Sequence, residues 1–229
     1  MLLALDTATR HSGLALLDGQ TLVAELNWTS HDSQTVELLP RLSQILAWHN
    51  LSPGDVQAVA VSLGPGSFTG LRVALSIAKG MAVAHGLPLL GVPTLDASVL
   101  PFVGANRPVC ALAPAGRGRV YWATYAATSD ERRPVPVLFG AWQGWRSDYL
   151  LGDVQALADA LTEPTLLVGE IPPAMTDAIT TALAGRVALN APVASTRRAA
   201  AIAALGWLRW RAGDLDDPAS LAPIYLQEP

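Results

Sequence analysis

Two short stretches carry the residue types that handle phosphate. The first is LALDTATRHSGLALLD, where Asp6, Thr7 and Thr9 follow an apolar run. A carboxylate at a strand's end can orient magnesium, and the N–H groups of the turn can hold phosphate oxygens. The second is GPGSFTGLR, residues 64–72, which follows the apolar run VQAVAVSL. A glycine-rich loop between a strand and a helix cradles phosphate when its spacing is right. Here both templates miss by one position. Gly64 and Gly70 are one residue too far apart for a Walker A loop, and Leu71-Arg72 stand where Lys-Ser would. A dinucleotide fingerprint needs a glycine where this chain has Thr69. Two readings of the loop stay open: an anion site at a helix start, or a turn in which Ser67 or Thr69 caps the helix. Asp6 has the same pair of readings, a nucleotide contact or a cap of its own turn.

Other catalytic constellations are missing. His11, His31, His49 and His85 never stand four residues apart, so no helical His-x-x-x-His pair for a metal exists. Ser67 does not sit in a G-x-S-x-G elbow. Cys110 is the one cysteine, which excludes an internal disulfide and a four-cysteine zinc site. No catalytic residue and no metal ligand is assigned. The basic clusters RRP at 132–134 and STRR at 195–198 read as solvated loop and helix-start residues or, with Trp142 and Trp145 near the first, as an RNA-facing surface.

Composition sets the class. The chain has 229 residues, 51% hydrophobic and 15% charged, with a net charge of −4. That is a globular chain with a sizeable core, and its acidic balance argues against a strongly basic nucleic-acid surface. The low charge implies that a partner covers some apolar surface. Asp6 interrupts the N-terminal apolar run and no basic residue precedes it, so a secretory leader is not expected. No run approaches the ~20 uncharged apolar residues of a membrane span. A cytoplasmic, soluble protein is the expectation.

The elements that would position these residues follow from periodicity. MLLALD reads as a buried strand, and SGLALLD and TLVAELNW as a hairpin about Gly19-Gln20. Val36, Leu39, Leu42 and Leu46 recur at helical spacing across Ser33–His49. VQAVAVSL is a doubly buried strand. The helix after GPGSFTGLR runs to about His85 and is nearly apolar all round, with Arg72, Lys79 and His85 its only ionisable residues. Such a helix is buried in its own lobe or covered by a partner. PLLGV is a strand, and Thr94 caps a helix through Phe102. Beyond the break at 101–108, VCALA, RVYWATYAA and PVPVLF read as strands. Helices near 153–160 and 174–183 flank a strand TLLVG, and a last helix spans Ser195 to about Arg211. Strands followed by alternating helix and strand occur in both halves, which suggests a duplicated α/β lobe. The expected division is 1–104, 105–194, and a segment 195–229 that packs back on the lobes.

Residues 1 to about 98 resemble the TsaB (YeaZ) family. ALDTAT, the HDSQTVELLP helix, VSLGPGSFTGLRVALSIAKGMA and PLLGVPTLDA carry the resemblance, and PIYL in the tail adds to it. The resemblance implies a two-lobed actin-like ATPase fold of the ribonuclease H-like kind, each lobe a mixed sheet flanked by helices. It implies a non-catalytic subunit that dimerises with TsaD, which transfers threonylcarbamoyl to the adenosine beside the tRNA anticodon. TsaE would join a larger complex, tRNA would be met only through that complex, and the chain alone would form a homodimer. The partner face would include Val36, Leu39, Leu42, Leu46, Phe68, Leu71, Arg72, Leu75, Ala78 and Met81. No cofactor is required by this chain; ATP or ADP with magnesium would sit at the interface of the complex, and any nucleotide contact here would come from Asp6, Thr7 and Thr9. The alternative is a nucleotide-binding hydrolase or peptidase-like enzyme in its own right. The second lobe departs from the family: Pro114, Gly116 and Arg119 stand where Asp, Arg and Glu are expected, while Val120 and Tyr121 are kept and Glu170 occupies an acidic place after TLLVG.

Overall fold

The computed structural model describes residues 1–31, 33–127, 135–139 and 142–226. The chain divides into two compact units, Met1–Ala97 with Arg198–Tyr225, and Ser98–Arg197 with a few terminal residues. The division thus falls at Ala97, not in the proline-containing stretch at 101–108. The chain leaves the first sheet through a helix, and that stretch only leads into the next strand.

The first unit is built on β1 (Leu2–Asp6), β2 (His11–Asp18) and β3 (Thr21–Thr29), followed by α1 (Gln34–Trp48), β4 (Ala58–Gly64), α2 (Phe68–His85), β5 (Leu89–Pro93) and α3 (Thr94–Val99). Every residue of β1 and of β4 is buried, as their unbroken apolar runs require. The strand order is β3-β2-β1-β4-β5. The first three strands are antiparallel, whereas β1, β4 and β5 are parallel. Gly19, with φ of +60°, turns the β2–β3 hairpin. A 3-10 turn, Leu100–Phe102, ends α3 earlier than expected. The Thr94 hydroxyl accepts from the Gly64 N–H at 3.0 Å, so it ties the end of β4 to the start of α3.

The second unit contains β6 (Val109–Gly116), β7 (Arg119–Ala126), β8 (Val135–Phe139), β9 (Trp142–Arg146), β10 (Leu150–Gly152), α4 (Val154–Ala160), β11 (Thr165–Gly169), α5 (Pro173–Ala182), β12 (Val187–Leu189) and α6 (Pro192–Ser195). Its order is β12-β11-β6-β7-β9-β8, with β10 also on β7. β6 pairs antiparallel with β7 and parallel with β11, which pairs parallel with β12. This repeats the first sheet: β6, β7, β11 and β12 stand where β1, β2, β4 and β5 do. The two lobes therefore share one mixed-sheet plan. The second copy is reduced, since β12 has three residues and β10 shares the outer edge of β7 with β9. Its core joins Leu112, Trp122 and Leu167 of the sheet to Leu157, Met175 and Ile179 of the helices.

The last helix is split. α6 ends at Ser195 and α7 runs from Ala199 to Arg211. The break occurs because Arg197 and Arg198 are each spent on an acid. Arg197 Nη1 reaches Glu170 Oε1 at 3.0 Å within the second unit, and Arg198 pairs with Glu25 on β3 within the first. The amides opening α7 are capped from β3: Ala199 N–H donates to Asn27 Oδ1 at 3.2 Å and Ala200 N–H to Glu25 Oε1 at 2.9 Å. α7 packs on the strands through small residues. A Cβ on Gly206 would lie 2.5 Å from that of Ala60, and one on Gly13 would lie 2.9 Å from that of Ala199. At the other end, Arg209 binds Asp214, Asp216 and the Gly91 carbonyl.

Candidate partner-binding groove

The two stretches with phosphate-handling chemistry meet, but they meet each other. Thr7 Oγ1 donates to the Gly70 carbonyl at 2.6 Å, and the Ser67 N–H donates to the Ala8 carbonyl at 2.7 Å. The contact is close enough to demand glycine. A Cβ on Gly66 would lie 2.2 Å from the Ala8 oxygen, and one on Gly70 would lie 2.0 Å from the Thr7 oxygen. Ser67 caps α2, its hydroxyl accepting from the Gly70 N–H at 3.2 Å. Several amides that an anion would need are thus occupied by the chain's own oxygens. Asp6 is buried and its Oδ1 accepts from the Ala8 N–H at 3.0 Å; Thr9 is buried with its hydroxyl on the backbone of His11. Asp6, Thr7 and Thr9 do lie together, as parts of the turn that docks on α2. Among the described residues no three His, Cys, Asp or Glu side chains gather as a metal site, and no helix is long and apolar enough to cross a membrane.

α1 and α2 cover one face of the first sheet, and their faces divide cleanly. Leu38, Leu42, Ile45 and Leu46 of α1 and Leu71, Ala74, Leu75, Ala78 and Ala82 of α2 are buried, most of them packed with Leu3, Leu5, Leu14, Leu16, Val59 and Val61 of the sheet. Of the residues expected on a partner face, Leu42, Leu46, Leu71, Leu75 and Ala78 are therefore core. The reason is helical phase: an apolar helix offers two candidate stripes, and the sheet takes one of them. Val36 and Leu39 do face outward, 71% and 51% exposed. Arg72 is exposed, and Phe68 and Met81 are half-buried. The sequence reading missed Trp48 and Val83, 63% and 74% exposed on the outer sides of the two helices. It missed the half-buried Val73 and Ile77 as well. At about 100° per residue Trp48 lies well around α1 from Val36 and Leu39, so a helical wheel phased on those two does not find it, and the phase of α2 has no such marker.

Between the helices lies a groove of about 500 Å³. Leu39, Phe68, Val73 and Ile77 give it an apolar lining, and Thr35, Thr69 and Ser76 supply hydroxyls. Arg72 is its one charged lining residue. The α1 side is held rigid by Glu37. Its carboxylate accepts from Ser33 Oγ at 2.6 Å and from Trp28 Nε1 at 2.8 Å, with Arg41 at 3.9 Å and stacked on the Trp28 ring. The Ser33 hydrogen bond, aided by those from Trp28 and by Arg41, holds its pKa below the ordinary carboxylate value. Pro40, inside α1, cannot donate to the Val36 carbonyl.

The other sequence candidates are dispersed. Arg197 and Arg198 of the STRR cluster are paired with carboxylates, and the RRP cluster at 132–134 lies outside the described residues. Glu170 is buried against Arg197.

Comparison with known proteins gives a consistent set of likenesses. Residues 29–135 match the family described as TsaD, tRNA N6-adenosine threonylcarbamoyltransferase. The tRNA threonylcarbamoyladenosine biosynthesis protein TsaB of Escherichia coli K12 is 35% identical over 153 residues, 66% of this chain and 62% of that protein. An uncharacterised protein of Mycobacterium tuberculosis H37Rv is 30% identical over 233 residues, 99% of this chain and 92% of that protein. The crystal structure of YeaZ from Pseudomonas aeruginosa superposes with a TM-score of 0.76 at 23% identity, covering 98% of this chain and 99% of that one. The chain spans between 40% and 62% of the length of the first four TsaB relatives it matches.

Proposed function

The chain belongs to the TsaB (YeaZ) family, and from that premise we propose that it is a non-catalytic subunit for tRNA threonylcarbamoyladenosine biosynthesis that dimerises with TsaD through α1 and α2. The observation that carries this is the outer face of the two helices. Val36, Leu39, Trp48 and Val83 are exposed on these two helices, and Leu39 lines an apolar groove between them. A patch of that kind on a soluble fold marks a protein–protein contact. TsaD is the partner of choice because a TsaD-family match runs through both helices and related folds pair readily. In this reading the same face pairs with a second copy when TsaD is absent, TsaE joins the larger complex, and tRNA is met only there. No cofactor of this chain's own enters the reading; ATP or ADP with magnesium belongs to the interface of the complex. The reading as a nucleotide-dependent or peptidase-like enzyme gains no support from the turn at Asp6, whose hydrogen bonds serve the packing of α2.

The test is co-purification of the chain with its TsaD. Val36→Asp with Leu39→Asp, both on exposed positions, should abolish the complex while circular dichroism and melting temperature stay near those of the unmodified chain. A complex that survives both substitutions sinks the interface assignment.

A further inference from the structure

The C-terminal segment has no regular secondary structure around residue 224, yet it is fastened to the end of β4 and the start of α2. The Ile224 N–H donates to the Leu63 carbonyl at 2.7 Å, and the Ile224 carbonyl lies where a Cβ on Gly64 would touch it at 2.9 Å. The next residue, Tyr225, reaches the groove. Its hydroxyl accepts from Arg72 Nε at 3.0 Å and its ring lies 5.1 Å from that of Phe68. The Arg72 guanidinium carbon sits 3.7 Å from the centre of the Phe68 ring.

An exposed arginine ordinarily keeps most of its rotamer freedom, and losing that freedom on binding opposes association. Arg72 has already lost it. One face of its guanidinium is covered by Phe68 and its Nε is engaged by Tyr225, which leaves the two terminal nitrogens as a fork. Among the described residues no carboxylate pairs with it, and no acid lines the groove. A fixed, unpaired guanidinium fork beside an apolar surface is the complement of a carboxylate, which it binds through two parallel hydrogen bonds. A second copy of this chain has none to offer from the same face. Glu37 is the one acid on α1 and α2, and Ser33, Trp28 and Arg41 already surround it.

We infer that Arg72, positioned by Tyr225 and Phe68, is a preformed receptor for an Asp or Glu on a helix of the heterologous partner, whose apolar side chains fill the groove. This rests on the dimerisation reading above and adds the chemistry that would tell TsaD from a second copy. Tyr225 acts here as a positioning residue.

Calorimetric titration of the chain with its TsaD, at low and high salt, tests it. Arg72→Gln should weaken binding roughly 30-fold or more and flatten its salt dependence. Tyr225→Phe, which keeps the ring and removes the hydroxyl, should weaken it about 3- to 10-fold. The double variant should bind no more weakly than Arg72→Gln alone, because Tyr225 acts through Arg72. Arg72→Lys, a cation without the fork, should fall between Arg72→Gln and the unmodified chain. Wild-type affinity in both single variants, while Val36→Asp with Leu39→Asp abolishes binding, overturns this inference and leaves the dimerisation reading standing. A loss confined to self-association in sedimentation runs of the chain alone overturns it too. No heat from the unmodified chain with TsaD overturns both.

Discussion

Gly70→Ala tests the account of the glycine-rich loop. The added Cβ lands 2.0 Å from the Thr7 carbonyl oxygen, a backbone atom that cannot swing aside as a side chain would. Either α2 or the turn after β1 must retreat. Overpacking of this severity costs about 3 kcal/mol, the upper end of its usual range. The retreat also stretches the Thr7 hydroxyl bond to the Gly70 carbonyl, for about 1 kcal/mol more. Alanine's better helix propensity returns about 1 kcal/mol. The net loss is about 3 kcal/mol, which for a chain of this size lowers the melting temperature by about 6–12 °C. Gly80→Ala is the internal control. Gly80 lies in the same helix with no heavy atom within 4 Å of a built Cβ, so only the propensity term acts. That variant should melt about 2–4 °C higher. Scanning calorimetry of the two variants decides the matter. If Gly70→Ala melts within a degree of the unmodified chain, or shifts upward as Gly80→Ala does, the loop is not a close-packing device and the anion reading returns.

Two further outcomes follow from buried charges. Burial opposes ionisation of Glu25, but hydrogen bonds from Arg198 and the Ala200 N–H outweigh it and hold the group below its ordinary value of 4.5. Its contribution is therefore complete above the unfolded carboxylate range and fades as pH falls through the lower folded value. Urea melts of Glu25→Gln should show a stability deficit at pH 7 that shrinks steadily below about pH 4.5; a constant deficit from pH 7 to 3 contradicts the assignment. Arg197→Met removes the guanidinium from the Glu170 carboxylate in a site where both side chains are almost wholly buried. It should destabilise the protein by about 3–5 kcal/mol, and adding Glu170→Gln should recover much of that. A single variant that melts like the parent would show that the pair is hydrated.

Much of the fold was legible along the chain. The buried runs of β1 and β4, the Gly19-Gln20 hairpin, the extents of α1 and α2 and the repetition of one α/β plan all follow from local periodicity and turn chemistry, which depend on neighbours a few residues away. The family was legible too, because the motifs that carry it are contiguous. Short strands such as β10 and β12 were not, since three residues hold no period to read. The break between α6 and α7 was hidden because it depends on Glu170 and Glu25, distant residues that draw Arg197 and Arg198 apart.

The candidate site divides the same way. That α1 and α2 are too apolar to stand wholly in water is a property of composition, and the sequence states it. Which stripe of each helix faces the sheet depends on where the strands lie, so only the folded chain could place Leu71 and Leu75 inside and leave Val36 and Val83 outside. Likewise GPGSFTGLR announced a glycine requirement without its cause. The cause is the backbone after β1, some 60 residues earlier in the chain, whose oxygens occupy the space a phosphate-binding loop would keep open. Short-range preference is written in the order of residues; close approach between distant segments is settled only when the chain packs.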